Sequence, residues 1–400
     1  MTNASTRYTG TTTPTSGGPS GAVTAVDPTA GRRPRSRPCP PRYGSPTGRL
    51  GGGTTRGAPL RITHVVGTGS FAGLERYVVE VSAELVDRGH DLAVVGGEPE
   101  EMQRLLHPAV RWAPGASFTE ALRSLAGGGR RDVVHSHISK ADFAALAAAP
   151  LTGGRRFATR HLTAPRGHGR AAQALAPVVR RGLTAEIAVS EFVARTVRPP
   201  SDTVLLNGVR PQDEVTAPRR REVLMAHRLA PEKDTPTGLR AFATSGLGDR
   251  GWQLVVAGRG DDRAALERQA ADLGIGGSTR FVGWLTEPAA AFRSSSVFLA
   301  PAPDEPCSLS ILEAMSHGLP VVAAASGGNP ETVGSVVGSR LFPVGDDAAA
   351  GEHLRQLAED DAAREAYGDA LRTAQRVRFA LRGHVADLVG VYEGRTARST

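Results

Sequence analysis

The sequence contains two cysteines, two lysines and no long apolar run. The few cysteines and the lack of an apolar run argue against disulfide-rich and membrane-spanning classes of protein. Cys39 and Cys307 are too few and too far apart for a disulfide framework, which favours a reducing cytoplasm. No stretch approaches the roughly 18 uninterrupted apolar residues of a membrane-spanning helix, so the sequence predicts none. A hydrophobic content of 40% and a charged content of 22% are typical of a soluble globular protein.

Positive charge is concentrated at the amino end of the sequence. Residues 1–58 hold eight arginines and one acid, Asp27, and so account for seven of the eight net positive charges. The rest is nearly neutral, so charge gives no reason to expect a nucleic-acid partner. Residues 1–58 also lack apolar periodicity, which predicts a disordered tail that is either solvated or bound to an anionic partner. No apolar segment follows Arg32-Arg33, so we do not expect export.

From Leu60 onward, short apolar runs alternate with segments of helical periodicity. In the first half, the strand candidates are 60–66, 91–95, 132–137, 156–159 and 186–190. In the second half, they are 223–226, 253–257, 279–282, 297–300 and 321–324. This alternation predicts an α/β protein with two doubly wound domains, 59–213 and 223–375, joined by a polar linker at 214–222.

Ligands of open parallel sheets bind beyond the carboxyl ends of the strands, so five loops there are candidate binding segments. The glycines of loop 67–73 allow backbone N–H groups to approach a phosphate, although packing in a tight turn explains them equally well. Arg228 and Lys233 follow a strand and can hold two phosphates, or they form a solvated basic pair. Lys140 and Lys233 are the only lysines, which favours a function for Lys233. The fourth loop, 257–261, is rich in glycine.

Two histidines, His135 and His137, end a strand candidate in the first half. We expect them to lie on opposite faces, so that at most one points into the cleft between the domains. Histidines in this position are more often structural than ligating. Because no Asp, Glu or Cys lies beside them, the sequence does not predict a metal site.

Two glutamates eight positions apart, Glu305 and Glu313, mark the fifth loop. Ser310 and Glu313 match a capping box at the start of a helix, which would give Glu313 a purely structural role. Glu305 precedes Pro306 on a loop after a strand, and no structural role explains it. The pair is therefore either two ligand contacts or one loop carboxylate and one cap.

The order of these motifs resembles glycosyltransferase family 4, whose members are retaining sugar transferases of the two-domain GT-B fold. The resemblance covers nearly all of residues 60–395. In the first half the matching segments are RITHVV (61–66), AGLER (72–76), LVDRGHDL (85–92), DVVHSH (132–137), VS (189–190) and LNGV (206–209). In the second half they are HRLAPEK (227–233), AGRG (257–260), RFVGW (280–284), EPCSLSILE (305–313) and SGGNPE (326–331).

The resemblance implies a role for each matching position. Arg228 and Lys233 would bind the donor diphosphate and stabilise the leaving group. Glu305 would accept hydrogen bonds from hydroxyls of the donor sugar, Glu313 from the ribose, and His137 would face the reacting carbon. Backbone groups of the donor site would come from Gly73, Gly258, Ser308, Leu309 and Ser310. The segment 376–400 would form a helix that packs back on the first domain.

The implied reaction moves a hexose from a nucleotide diphosphate sugar to an acceptor hydroxyl with retention of configuration. A phosphate oxygen of the leaving group would take the acceptor proton, so no enzyme nucleophile is required. No D-x-D motif occurs, and we expect neither a metal nor another cofactor. His227, Ser308, Ala72 and Asp234 replace glycines that are frequent in the family, which leaves the identity of the donor open.

The acceptor side is expected in the first domain, where residues 155–181 hold seven arginines and no acid. This segment is either a solvated face or a contact for a phosphorylated acceptor or an anionic membrane surface, which would place the protein at the inner face of the membrane. We expect Arg166 and Arg170 to take part in that contact. No feature of the sequence indicates an oligomeric state.

Other functions fit parts of the pattern. A nucleotide-sugar-binding protein without transfer activity, an epimerase and a phosphorylase share the fold. Lys140, in the first half, is badly placed for the pyridoxal phosphate of a phosphorylase. The absence of G-x-G-x-x-G after the first strand argues against a dinucleotide oxidoreductase.

Overall fold

The computed structural model describes residues 58–395 except His168, Val215 and Thr216. The predicted tail therefore lies outside the described residues apart from Ala58, as do two linker positions and the last five residues. No helix of the described part combines the length and the apolarity that crossing a bilayer requires.

Seven parallel strands form the first sheet, in the order β3-β2-β1-β4-β5-β6-β7. The strands are β1 (Arg61–Val65), β2 (Asp91–Val95), β3 (Arg111–Ala113), β4 (Val133–Ser136), β5 (Arg155–Arg160), β6 (Ala185–Ala188) and β7 (Thr203–Val204). The helices of this half are α1 (Gly73–Asp87), α2 (Pro99–Leu105), α3 (Phe118–Gly127), α4 (Ser139–Ala147), α5 (Ala149–Thr152), α6 (Gly169–Arg181) and α7 (Glu191–Thr196).

Six parallel strands form the second sheet, in the order β10-β9-β8-β11-β12-β13. The strands are β8 (Glu222–Ala226), β9 (Gln253–Ala257), β10 (Thr279–Gly283), β11 (Val297–Ala300), β12 (Val321–Ala324) and β13 (Arg340–Phe342). The helices are α8 (Thr235–Thr244), α9 (Arg263–Asp272), α10 (Ala289–Ser294), α11 (Leu309–Ser316), α12 (Asn329–Thr332), α13 (Asp347–Glu359), α14 (Asp361–Arg378) and α15 (Leu381–Tyr392). The predicted fold of two parallel α/β sheets is confirmed.

The sequence did not predict three strands, β3, β7 and β13. Each has three residues or fewer and lies at the edge of a sheet. Runs this short show neither alternation nor an apolar stretch, so their strand conformation depends on pairing with a neighbour.

The last helix, α15, packs on the first sheet although it follows the second sheet in sequence. Its apolar side chains join the core of β1, β2 and α1. Tyr392 donates or accepts a hydrogen bond of 2.6 Å with His135 on β4, and His384 bonds the hydroxyl of Tyr77 on α1 at 2.7 Å. The end of the chain thus ties the second half of the protein to the first.

Both sheets reverse their strand order at one point. In the first sheet this point lies between β1 and β4, and in the second between β8 and β11. Loops that follow these strands diverge to opposite sides and leave a crevice, the usual place for a ligand in such sheets. Four predicted binding segments, 67–73, His137, 227–233 and 305–313, follow these four strands.

Candidate active site

Lys233 and Glu305 meet beyond the carboxyl ends of β8 and β11. The ammonium of Lys233 donates to Oε2 of Glu305 at 2.6 Å, and the two side chains are 22% and 15% exposed. Lys233 ends a short turn that begins at Pro231, and Asp234 follows with a φ of 47°. Aspartate tolerates this left-handed conformation, which explains how it replaces a glycine of the family pattern. The two loops thus bring one positive and one negative group to a single point.

The loop that carries Glu305 is held by two neighbouring segments. The backbone N–H of Gly328 donates to the carbonyl of Glu305 at 2.7 Å, and a Cβ added to Gly327 would lie 2.2 Å from the same oxygen. From the first domain, the side-chain amide of Asn207 donates to the carbonyl of Cys307 at 3.0 Å. The position of Glu305 therefore depends on glycines after β12 and on a contact between the domains.

Arg228 lies on the same loop as Lys233 but points elsewhere. Its side chain is 69% exposed, and its guanidinium pairs with Glu232. The preceding residue, His227, bonds the hydroxyl of Thr235 at 3.0 Å. Loss of water around the His227 ring and the nearby charge of Lys233 lower its pKa to about 3, so the ring is neutral. His227 is thus held within its own loop and helix rather than pointing toward Glu305.

Gly258 fixes the approach of two loops at the ends of β8 and β9. Its φ is 149°, and an added Cβ would lie 1.9 Å from the carbonyl oxygen of His227. Only glycine fits there without moving the backbone that leads to Arg228. This close approach is enough to explain why position 258 is a glycine. A contact between Gly258 and the donor stays a prediction.

The amino ends of α1 and α11 face each other across the cleft. Gly73 and Leu309 are the first residues of these helices, and Cδ1 of Leu309 lies 3.7 Å from the place of a Cβ on Gly73. Leu309 packs against both hydrophobic cores. Unpaired backbone N–H groups and the helix dipole make each amino end favourable for an anion. Two such ends meet here, next to the loop of Glu305.

The capping box of Ser310 and Glu313, one of the two interpretations that the sequence left open, does not form. Ser308, not Ser310, caps α11, and its Oγ accepts a hydrogen bond from the N–H of Ile311 at 3.3 Å. Ser310 lies inside the first turn. The helix starts two residues earlier than the box requires, so Glu313 lies one turn beyond the cap and does not bond back to it.

Glu313 instead contacts a residue of the first domain. Its Oε1 lies 3.6 Å from Nε of Arg76 on α1, and Arg76 also bonds Glu80. Removal from water raises the pKa of Glu313 to about 7, and this effect exceeds the opposing attraction of Arg76. A carboxyl group that titrates near neutrality therefore lies at the boundary of the two domains.

The prediction that His135 and His137 lie on opposite faces is wrong. Their ring centroids are 4.4 Å apart, and both rings are buried, because residues two apart on a strand share a face. The ring nitrogens of His137 bond His64 at 2.8 Å and His161 at 3.1 Å. Burial lowers the pKa of both strand histidines well below its usual value, so both are neutral.

Among the described residues, His64, His135 and His137 have a spacing that suits a metal ion, since one nitrogen of each lies within 4.8 Å of the others. Hydrogen bonds already occupy both nitrogens of His135, with Tyr392 and Thr159. Within the described residues, Nε2 of His64 is the one nitrogen of the three rings without a partner. A hydrogen-bonded network thus accounts for the cluster, and a metal-free site stays a prediction.

The tautomer of His384, which lies outside this cluster, is defined by its hydrogen bonds. Nδ1 of His384 lies 2.8 Å from the carbonyl of Leu206, which only accepts, so Nδ1 carries the proton. Nε2 of His384 must then accept from the hydroxyl of Tyr77. Sequence patterns gave no signal for His384 and Tyr77, because they are 307 residues apart.

Two family models match consecutive parts of the chain. The model described as "Glycosyltransferase Family 4" matches residues 71–213, and the model "Glycosyl transferases group 1" matches residues 210–374. The chain belongs to glycosyltransferase family 4. Its first half and its second half thus correspond to the two successive domains of the family.

Curated relatives of this family 4 protein match over part of their length. A 2-deoxystreptamine N-acetyl-D-glucosaminyltransferase of Streptomyces fradiae is 34% identical over 150 residues, which cover 37% of this chain and 32% of that protein. A phosphatidyl-myo-inositol mannosyltransferase of Mycobacterium leprae is 36% identical over 118 residues, covering 29% of this chain and 31% of that protein. The matched part is thus about a third of the length of each relative.

Among solved structures, HepE of Anabaena in complex with UDP and glucose is similar over 84% of this chain and all of that chain. The TM-score is 0.72 and the sequence identity 17%, a likeness that shows the fold. Family membership and fold therefore rest on independent comparisons.

In this family 4 protein, one residue of a family motif joins the two domains. Glu331 accepts hydrogen bonds of 2.8 Å from the backbone N–H groups of Glu191 and Phe192, at the amino end of α7. Glu331 is the last residue of the motif SGGNPE (326–331), and the sequence held no indication of this role. Asn207 and Arg76 likewise lie in family motifs, and only the structure shows their contacts across the domains.

The arginine-rich segment 155–181 is not one uniform surface. Arg166, expected to contact an anionic acceptor or membrane, is buried and forms ion pairs with Asp142 and Glu186. It is therefore a structural residue, and that expectation is wrong for Arg166. Arg170 lies exposed at the start of α6 and stays available.

Proposed function

We propose that this protein is a retaining glycosyltransferase that moves a hexose from a nucleotide diphosphate sugar to an acceptor hydroxyl. One observation carries the proposal: the 2.6 Å pair of Lys233 and Glu305 lies beside two facing helix amino ends at the crevice of both sheets. A cation and two helix amino ends suit a diphosphate, and a neighbouring carboxylate suits sugar hydroxyls. The solved complexes of HepE with UDP and UDP-glucose support a donor of this class.

Donor binding would exchange the internal pairs for contacts with the substrate. Lys233 would turn from Glu305 to the diphosphate, and Glu305 would accept from hydroxyls of the sugar. Glu313 would likewise turn from Arg76 to the ribose. Each group that leaves its internal partner would gain a polar partner in the substrate, and Arg76 would keep its contact with Glu80.

The chemical step would break the bond between the anomeric carbon and the phosphate oxygen. The acceptor hydroxyl would form the new bond on the same face, and its proton would pass to an oxygen of the departing diphosphate. Lys233 and the helix amino ends would stabilise the charge that develops on that diphosphate, where fixed donors are most effective. His137 would border the reacting carbon as a neutral ring. We propose no metal and no other cofactor.

The proposed place of action is the cytoplasmic side of the membrane, with peripheral attachment. A relative named phosphatidyl-myo-inositol mannosyltransferase and the exposed arginines of the first domain support it. The acceptor would be a hydroxyl of a lipid, a polysaccharide precursor, an inositol-type compound or a secondary metabolite.

A thermal-shift panel of UDP, GDP, ADP and dTDP sugars tests the proposal, followed by a turnover assay with the stabilising donor. We expect one nucleotide series to raise the melting temperature, because a ligand that binds only the folded state stabilises it. Stabilisation without transfer to any acceptor extract would indicate a binding protein. Interconversion of the donor sugar, or sugar release that needs inorganic phosphate, would indicate an epimerase or a phosphorylase.

A further inference from the structure

Helix α6 turns its apolar side outward. Leu175 is 55% exposed and Val178 is 53% exposed, and Ala171 and Ala174 share their side of the helix by spacing. The one buried residue of α6 is Val179. A surface helix of a globular protein normally buries its apolar stripe. Among the residues that the structure describes, none covers this face of α6.

Arginines line one edge of the apolar face. Successive residues of an α-helix are rotated by about 100° around its axis. Arg170 and Arg181 therefore lie beside Ala174, at the edge of the apolar face. Neither forms an ion pair within the described residues, whereas Arg180 pairs with Asp202 on the opposite side. Arg170 and Arg181 therefore place two positive charges along this edge of α6.

Another exposed apolar residue of the first domain, Leu162, lies near the cleft. Strand β5 leads to His161, which bonds His137, and the next residue, Leu162, is 60% exposed. Helix α6 starts seven residues later. A group that carries an acceptor hydroxyl and contacts Leu162 would therefore lie on the first-domain side of the site.

We propose that α6 docks on an anionic lipid bilayer and presents the cleft to an acceptor that is carried by a lipid. Apolar side chains enter the boundary of the acyl chains while flanking arginines stay at the headgroups. Each arginine near the surface adds attraction to anionic lipids. Charge disfavours a second copy as occupant, since a symmetric contact through α6 would bring Arg170 and Arg181 of both copies together. The acceptor class rests on the proposed glycosyl transfer; the docking does not.

Cosedimentation of the full chain with vesicles tests the docking. We expect the wild type to pellet with vesicles of phosphatidylcholine and phosphatidylglycerol in equal parts, and less with phosphatidylcholine alone or at high salt. The double variant Leu175→Asp, Val178→Asp should bind these vesicles at least about tenfold more weakly than the wild type. Arg170→Ala with Arg181→Ala should weaken binding to the anionic vesicles only.

Val377→Asp is the matched control, because Val377 is a 78% exposed helical valine between two arginines, Arg376 and Arg378, on α14. It should pellet as the wild type does. Equal pelleting of the α6 double variant, or a wild type that stays in solution with all vesicles, would overturn the proposal. A dimer in sedimentation velocity that the double variant abolishes would assign the face to a second copy instead.

Nucleotide-induced stabilisation and donor turnover, measured on the same samples, separate this inference from the proposed function. Vesicle binding without turnover would leave the docking intact and refute the transfer. Donor turnover together with unchanged vesicle binding of the α6 variants would support the transfer and refute the docking.

Discussion

The ammonium of Lys233 and the carboxylate of Glu305 are 2.6 Å apart although 72 residues separate them in the sequence. They follow β8 and β11, the two strands at which the second sheet reverses its order. Each group neutralises the charge of the other. We therefore expect substitution of either one to change both donor binding and transfer.

Lys233→Ala should lower donor turnover by roughly two to three orders of magnitude, since it removes a fixed positive group from the leaving diphosphate. Its circular dichroism spectrum should match that of the wild type. Lys140→Ala is the matched control, because Lys140 is the other lysine and bonds the carbonyl of Ala116 from an exposed position. Near-normal turnover in Lys233→Ala would refute the assignment of Lys233.

Glu305→Gln should separate binding of the nucleotide from transfer of the sugar. The neutral amide accepts from Lys233 more weakly than the carboxylate does, so affinity for the nucleoside diphosphate should stay equal or rise. Turnover should fall, because the sugar hydroxyls lose a charged acceptor. Calorimetric titration with the diphosphate and initial rates with the full donor measure the two effects. A parallel loss in both would instead assign Glu305 to the structure of the loop.

Glu313 should make stability depend on pH. Its pKa is about 7 in the folded protein against an ordinary value of 4.5, so the folded state binds the proton more tightly. The stabilisation is complete below about pH 4.5 and is lost as the pH rises to about 7. Glu313→Gln does not titrate, so the melting temperature of the wild type minus that of the variant should fall across this window. A constant difference would contradict the raised pKa.

Gly258→Ala should destabilise the protein by about 1–3 kcal/mol or more and weaken donor binding. The added Cβ would meet the carbonyl of His227 at 1.9 Å, in a backbone conformation that alanine rarely adopts. Gly277→Ala is the matched control, since nothing lies within 4 Å of its added Cβ. Denaturant unfolding of both variants measures the effect, and equal stabilities would contradict the close approach.

Chelation should leave turnover unchanged. His135 and His137 use both ring nitrogens within a hydrogen-bonded network, so no vacant set of three ligands is ready for a metal. Turnover before and after dialysis against a chelator, with elemental analysis of the purified protein, checks this. A stoichiometric metal whose removal lowers turnover would reassign the three histidines as ligands.

Patterns along the sequence predicted the long strands because apolar runs of four or five residues, spaced by helices, are local signals. They failed for β3, β7 and β13, where three residues or fewer carry no periodicity. The wrong cap at Ser310 has a related cause: two serines, Ser308 and Ser310, both precede an apolar run, and only the backbone selects the first turn of α11.

Side-chain partners that are distant in sequence were beyond sequence reasoning. Arg166 looked like part of a basic surface, but Asp142 and Glu186 reach it from elements elsewhere in the first domain and bury it. Glu313 looked like a cap, but Arg76 meets it from α1. Such pairs form between segments tens to hundreds of residues apart, so no local pattern specifies them.

The sequence by itself determined the order of the long strands along the chain, the family motifs, and the loops that follow these strands at the carboxyl edge of each sheet. The physical reason is that hydrophobic periodicity and glycine positions act over a few residues. The tertiary structure alone decided that Lys233 meets Glu305, that His137 lies in a buried row of imidazoles, and that α6 leaves its apolar face uncovered. These depend on which distant surfaces pack together and which stay exposed to water, and packing is a property of the whole fold.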